Sequence, residues 1–134
     1  MSGCVLDTDV VIGALDRRDP HHANAARAIE RLADDGVPLL LSLVNYAETL
    51  VRPAEDEHNL KTAKDALAAL GIQLVAPTTS IAVNAARHRG LNVSLADGFA
   101  LATAQAHNAH VASFDGRVRR ALPKLSLQLA PQLS

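Results

Sequence analysis

The residues of this sequence best placed to do chemistry together are acids set beside apolar runs. They are Asp7 and Asp9 in VLDTDVVIG, Glu48 in SLVNYAETL, Asp97 in LADGFALATAQ and Asp115 in VASFDGRV. Val5, Leu6, Val10, Val11 and Ile12 read as core residues around the first pair. A carboxylate among them is costly to bury unless it is hydrogen-bonded, paired or holding a metal. Two like charges about 4 Å apart repel by roughly 4 kcal/mol at an effective dielectric near 20, so three or four such acids stay ionised together only around a cation. The single cysteine, Cys4, leaves no multi-cysteine zinc site, and the six histidines (His21, His22, His58, His88, His107 and His110) are scattered without a metal-ligand spacing. Hard oxygen ligands alone suit Mg²⁺ or Mn²⁺ better than zinc. A carboxylate-held ion with open positions can activate water and steady a phosphoryl oxygen, which is phosphodiester chemistry.

Whether the acids meet depends on the elements that carry them. Val5-Leu6 with its flanks reads as a short strand, followed by a helical stretch to about Leu15. Asp19-Pro20 resembles an N-cap with proline at the first helical position, opening a helix towards Asp35. Residues 39–41 form an apolar strand, after which Ser42 caps a helix carrying Tyr46, Ala47 and Glu48. A polar helix is expected over about 53–70, ended by Gly71; a strand over 72–75; and a helix over 78–89, stopped by Gly90. SLADGFALATAQAHN is helical, with Ser94 and Asp97 in the capping-box positions. Strand-like HVAS, a short basic helix and a last strand near 125–129 complete the chain. Short apolar strands alternating with helices predict an α/β fold, with a mostly parallel sheet of about five strands covered on both faces. In such sheets ligands bind beyond the carboxyl ends of the strands. Asp7 and Asp115 directly follow strands, Glu48 lies about two turns into the helix after the second strand, and Asp97 lies in the first turn of its helix.

Each acid also has a purely structural reading. Asp97 could be only the acidic member of its capping box, and Asp115 before Gly116 only a turn residue or cap. Asp7 or Asp9 could cap the first helix or place a favourable charge in its first turn. Glu48 is the hardest to explain this way: Val44, Ala47, Leu50 and Val51 suggest a largely buried helix, although Arg52, four residues on, could pair with it on an exposed face.

The 134 residues suit one domain with a real core, spanning 1–134. Hydrophobic residues make up 49% and charged residues 20%, a globular composition, and with 2% aromatics the packing falls to Ala, Leu and Val. No run approaches the roughly 18 apolar residues of a membrane span. Asp7 and Asp9 interrupt the one stretch that could resemble a signal peptide, so a cytoplasmic location is expected. A net charge of −1 supplies no global attraction for nucleic acid. Local basic groups at Arg17, Arg87, Arg89, Arg117 and Arg119 could instead form a rim for phosphates, or be solvated faces. With only Tyr46, Phe99 and Phe114 there is no broad base-stacking platform.

The four acidic segments, in their order and spacing, resemble the motifs of PIN domains, and most of all the VapC-type toxins, ribonucleases of bacterial toxin–antitoxin pairs. The resemblance spans nearly the whole chain. It implies an α/β/α sandwich, usually homodimeric, with Mg²⁺- or Mn²⁺-dependent cleavage of RNA, often tRNA or ribosomal RNA. Carried over by position, it implies Asp7, Glu48, Asp97 and Asp115 as the catalytic acids. Asp7, Asp97 and Asp115 would hold metal, with Glu48 acting through water. Thr8 matches the small hydroxyl residue after the first acid, and Ser113 the Thr or Ser two residues before the last. Asp9 stands where Ser or Asn is commoner, which leaves it either a supporting group or a further ligand. The rim arginines would position the RNA backbone, and a small VapB-like antitoxin would block the acidic cleft. An Ala- and Leu-rich surface hints at the homodimer.

Two other readings compete. Leu6-Asp7-Thr8-Asp9-Val10 also resembles the first motif of haloacid-dehalogenase-type phosphatases, in which Asp7 would be the nucleophile and Asp9 the general acid/base. That class needs a lysine and a later pair of acids; Lys61 and Lys64 lie in an exposed-looking helix, and Asp97 and Asp115 are not such a pair. The last reading is a non-catalytic interaction module whose acids are caps and surface charges.

Overall fold

The two inner strands are short runs, apolar but for Ser42, whose side chains alternate between two buried faces, whereas the edge strand through Gln73 and Leu74 is largely exposed. The computed structural model describes residues 2–133. Strands β1 (Cys4–Leu6), β2 (Leu39–Ser42), β3 (Gln73–Val75) and β4 (His110–Ala112) alternate with seven helices among the described residues. These are α1 (Thr8–Leu15), α2 (His22–Asp34), α3 (Leu43–Leu50), α4 (Glu57–Ala69), α5 (Thr79–His88), α6 (Leu95–His107) and α7 (Gly116–Ala121). On one face Cys4, Leu6, Leu39 and Leu41 pack with Val10 and Val11 of α1 and with Ala25, Ile29 and Leu32 of α2. On the other, Val5, Leu40 and Val111 pack with Ala100, Leu101 and Ala104 of α6 and with Val118, Ala121 and Leu122 in and after α7. This period-two alternation makes the chain a three-layer α/β/α sandwich. No helix among the described residues is long and apolar enough to cross a membrane.

The sheet is parallel throughout, in the order β3-β2-β1-β4. The chain builds outward from β1 to β3 and then returns to place β4 on the other side of β1. That reversal opens a crevice at the carboxyl ends of β1 and β4, where ligands bind in such sheets.

Four strands are present rather than about five. The expected strand near 125–129 is reduced to one parallel bridge between Val111 and Leu129. A 3₁₀ turn at Pro123–Leu125 and a left-handed Ser126 (φ 56°) use up the chain that would have extended it. The expected 53–70 helix also divides. Pro53–Glu55 is a 3₁₀ turn, Asp56 is extended, and its carboxylate caps α4 by accepting from the His58 and Asn59 N–H groups. Asp19 likewise closes a local turn by accepting from His21 N–H at 2.8 Å, so α2 starts at His22 rather than beside Pro20. After α5 a 3₁₀ turn runs through Gly90 to Asn92, which is left-handed at φ 63°.

Helices α5 and α6 approach closely at Gly98, where a Cβ would stand 2.7 Å from the Ala85 carbonyl oxygen. Alanine is the better helix former by about 1 kcal/mol. Gly98→Ala should nonetheless lower stability by about 1–3 kcal/mol, because the two backbones must separate. Denaturant midpoints check this, and a raised midpoint would show that the contact yields freely.

Candidate active site

Asp7 continues β1 into the crevice. Its N–H donates to the Ala112 carbonyl at 2.9 Å, extending the β1–β4 ladder, and its side chain caps α1 by accepting from Thr8 N–H at 2.9 Å. The other carboxylate oxygen, Oδ2, accepts from the Ser113 hydroxyl at 2.7 Å. The residue is only 2% exposed. Burial above all, then the charges of Asp9 and Asp97, push its pKa up to about 7 against the opposing hydrogen bonds from Ser113 and Thr8.

Asp9, in the first turn of α1, accepts from the Phe114 N–H at 3.0 Å through Oδ2. Burial chiefly, and then the Asp115 charge, raise its pKa, while the Phe114 and Val10 N–H groups and His21 oppose that rise. Its Oδ1 is buried and has no hydrogen-bond partner among the described residues. This arrangement supports the supporting-group reading of Asp9 through Oδ2, and Oδ1 remains able to serve a ligand.

The capping alternatives for Asp97 and Asp115 also hold, without excluding a place in the site. Asp97 accepts from Ser94 N–H at 3.3 Å while its own N–H donates to Ser94 Oγ at 3.1 Å, which is a reciprocal capping box. Asp115 caps α7, accepting from Arg117 N–H at 2.7 Å. Each cap occupies one carboxylate oxygen, and both negative charges act on the buried pair: Asp97 on Asp7, and Asp115 on Asp9. Ser113 connects the two sides, because its hydroxyl donates to Asp7 and accepts from Asp115 N–H at 3.1 Å.

Thr8 faces inward, and its hydroxyl accepts from the Asn45 amide at 3.0 Å. Asn45 was not singled out in the sequence. Fully buried on α3, it also donates to the Ala96 carbonyl at 3.2 Å, tying α3 to α1 and to the turn that presents Asp97. Its neighbours in the chain do not single it out, because Thr8 and Ala96 lie 37 and 51 residues away and only the tertiary fold brings them to it. Asn45→Ala removes the donor shared by the buried Thr8 hydroxyl and the half-buried Ala96 carbonyl. It should cost about 1–3 kcal/mol, measured by denaturant unfolding in chelator.

Glu48 differs from expectation. Helix α3 buries only the Asn45 and Thr49 side, four residues apart, so Glu48, Ala47 and Val51 turn outward, with Val51 65% exposed. Glu48 makes no ion pair with Arg52, and it is not among the charges that move Asp7 or Asp9. The geometry therefore links Asp7, Asp9, Asp97 and Asp115, with Glu48 at a solvent-facing position on the neighbouring helix. The rim arginines are dispersed. Arg17 and Arg117 are exposed, Arg87 bonds Asn84 at 3.3 Å, and Arg89 holds the Val93 carbonyl at 2.6 Å. Arg119 donates from Nε to the Ser113 carbonyl at 2.7 Å, beside the acids.

Among the described residues no three acids, histidines or cysteines converge closely enough to enclose one ion. The donor chemistry nevertheless fits a hard cation. Mg²⁺ is commonly held by one or two carboxylates, keeping several waters, and the orphaned Asp9 Oδ1 and the buried Asp7 carboxylate are groups that such a charge would relieve.

The PIN domain family model matches residues 4–122. The chain belongs to the PIN domain family. Solved structures resemble this PIN domain over most of its length. The DNA-bound VapBC of Salmonella typhimurium covers 97% of it and is itself covered to 98%, with a TM-score of 0.73 and 16% identity. Rickettsia felis VapBC2, bound to a promoter DNA fragment, gives 95% and 96% coverage, a TM-score of 0.72 and 15% identity. Mycobacterium tuberculosis VapC20, a toxin cleaving the sarcin–ricin loop, gives 89% and 95%, 0.69 and 17%. At such identities the likeness establishes the fold. No curated protein matches significantly. In this PIN domain Lys61 pairs with Asp65 at 2.7 Å on the exposed side of α4, which removes it as the lysine of a phosphatase site.

Proposed function

We propose that this PIN domain is a divalent-metal-dependent endoribonuclease, the toxin of a toxin–antitoxin pair. One observation carries the reading: a nearly inaccessible carboxylate, Asp7, lies at the crevice between β1 and β4 with three further acids acting on it or on Asp9. A fold alone needs caps there, and caps do not require an acid at 2% exposure. The VapC and VapBC structures that share the fold support the toxin reading.

In this reading Asp7, Asp97 and Asp115 would hold Mg²⁺ or Mn²⁺, one or two of them directly and the rest through waters that the ion keeps, with Asp9 adding its unpartnered oxygen and Glu48 acting through water. The bound ion supplies an activated water and charge neutralisation at the phosphoryl oxygens. The chain's residues then have separate duties. Ser113 fixes the Asp7 carboxylate through one hydrogen bond and the backbone before Asp115 through another. Asn45 holds Thr8, and so the first turn of α1, against α6. Arg119, beside Ser113, and the exposed Arg17, Arg87, Arg89 and Arg117 meet the RNA backbone. tRNA or ribosomal RNA is the expected substrate, and a small antitoxin the expected inhibitor. A homodimer in the cytoplasm is the expected setting; exposed Leu43, Val51, Leu74, Val83 and Leu95 offer apolar surface for assembly.

The test is cleavage of total tRNA and of ribosomal RNA fragments by the purified protein with Mn²⁺. Cleavage is expected with Mn²⁺ and is expected to stop in excess chelator. Cleavage that persists in chelator, or a protein that neither binds Mn²⁺ nor cleaves, overturns the reading.

A further inference from the structure

A second feature lies beside the acids, between α2 and the segments that follow β4. A cavity of about 340 Å³ is lined by Asn24, Arg27 and Arg31 of α2, by Phe114 and Arg119 on the β4 side, and by Gln132. Asn24, Arg27 and Arg31 fall three and four residues apart, so they share one face of the helix, bordering the buried face at Ala28. Two ion pairs occur among the described residues, Arg18 with Asp16 and Lys61 with Asp65, so none of the three cavity arginines is neutralised by a carboxylate. Gln132 donates its amide to Asp35 at 2.8 Å, while its Oε1 is buried without a partner. The cavity thus combines three guanidinium groups, a buried acceptor and an aromatic ring that stacks on His21 at 4.6 Å.

Its wall is fastened to the acidic crevice. Phe114 N–H donates to Asp9, and Arg119 donates to the carbonyl of Ser113, whose hydroxyl donates to Asp7. A ligand seated there lies next to the reacting position without occupying it. The volume falls in the lower part of the range of ligand pockets, roughly 300–1,000 Å³, which admits a nucleotide and is far more than an ion needs. Arginine forks suit phosphate, and a buried acceptor suits a ligand N–H or O–H such as the ribose 2′-hydroxyl.

Resting on the nuclease reading above, we infer that this cavity is a subsite for a nucleotide flanking the cleaved bond, in which Arg27, Arg31 and Arg119 take its phosphate and Gln132 Oε1 accepts from its sugar or base. The rim read from the sequence did not include Arg27 or Arg31. They lie on α2, among residues that the sequence pattern marks only as a solvated helix face.

The experiment is equilibrium binding of a labelled 12-nucleotide mixed-sequence single-stranded RNA in EDTA, followed by anisotropy over a series of KCl concentrations. Arg27→Gln/Arg31→Gln should bind about tenfold or more weakly, and the slope of log affinity against log salt should fall by about 0.7 to 1.4, as for the loss of one or two phosphate contacts on a single strand. Lys61→Gln/Lys64→Gln on α4 removes the same charge elsewhere and should stay within about twofold of wild type. Equal losses in the two double variants, or wild-type binding by the α2 pair, overturn the subsite; the second outcome would leave the groove as a protein-docking face. Failure of the wild type to cleave RNA in Mn²⁺ would sink the nuclease reading alone, because binding is measured without metal or cleavage.

Discussion

Asp7→Asn is expected to abolish RNA cleavage, lowering the rate by about 10³-fold or more, while the metal-free protein at pH 7.5 becomes more stable than wild type. The two effects have one cause. Asn has the shape of Asp, and its amide can still pair with the Ser113 hydroxyl and the Thr8 N–H that hold Asp7. What disappears is a negative charge that burial and two neighbouring acids oppose. A charge that the fold opposes yet keeps at 2% exposure serves something other than stability. Asp56→Ala supplies the contrast. Asp56 caps α4 with two hydrogen bonds on an exposed surface, so its loss should cost about 1 kcal/mol and leave cleavage intact. Thermal denaturation in chelator and single-turnover cleavage in Mn²⁺, run on both variants, separate the two kinds of acid. An Asp7→Asn protein that is less stable and still active would reduce Asp7 to a cap.

The parts of the site that could be read in the sequence are those in which chemistry and local structure use the same residue. Asp97 and Asp115 are placed by their caps, and capping is local, so Ser94-x-x-Asp97 and Asp115-Gly116 announce helix starts whatever the rest of the chain does. Capping occupies one carboxylate oxygen of Asp97 and of Asp115 and leaves the other, so it is compatible with the ligand roles proposed for them. Asp7 was legible through its apolar neighbours. Asn45 was not, since its two partners, Thr8 and Ala96, are 37 and 51 residues away and only the tertiary fold brings them together. Glu48 shows the reverse failure. Val44, Ala47, Leu50 and Val51 are apolar, but an eight-residue helix packed along one stripe leaves some of its apolar residues outside, and apolar neighbours then say little about burial. The cavity arginines were hidden for a similar reason: their meaning comes from Phe114 and Gln132, supplied by segments far along the chain.

The second large effect is a reversal in how stability depends on pH. An unfolded aspartate titrates near 3.8, whereas Asp7 in the folded protein is pushed up to about 7. Below pH 3.8 both states hold the proton. Between about 4 and 7 the folded state keeps a proton that the unfolded state has lost, so stability falls as pH rises through this window. Above it both are ionised and the whole penalty is felt, on the order of 4 kcal/mol for a rise of this size. Asp9, raised by burial, adds in the same direction. In EDTA the melting temperature of the wild type should therefore drop between pH 4.5 and 8, by on the order of 10 °C relative to Asp7→Asn, in which this source of pH dependence is gone. Mn²⁺ should invert the trend: an ion that binds only the ionised carboxylate competes with the proton, so its stabilisation grows as pH rises. Differential scanning calorimetry on both proteins, with and without Mn²⁺, gives the four curves needed. If wild type and Asp7→Asn run parallel in EDTA, the crevice is wet enough to ionise Asp7 like any surface acid. If they diverge in EDTA and Mn²⁺ leaves the wild-type curve unmoved, the buried charge is real and a divalent ion is not what relieves it.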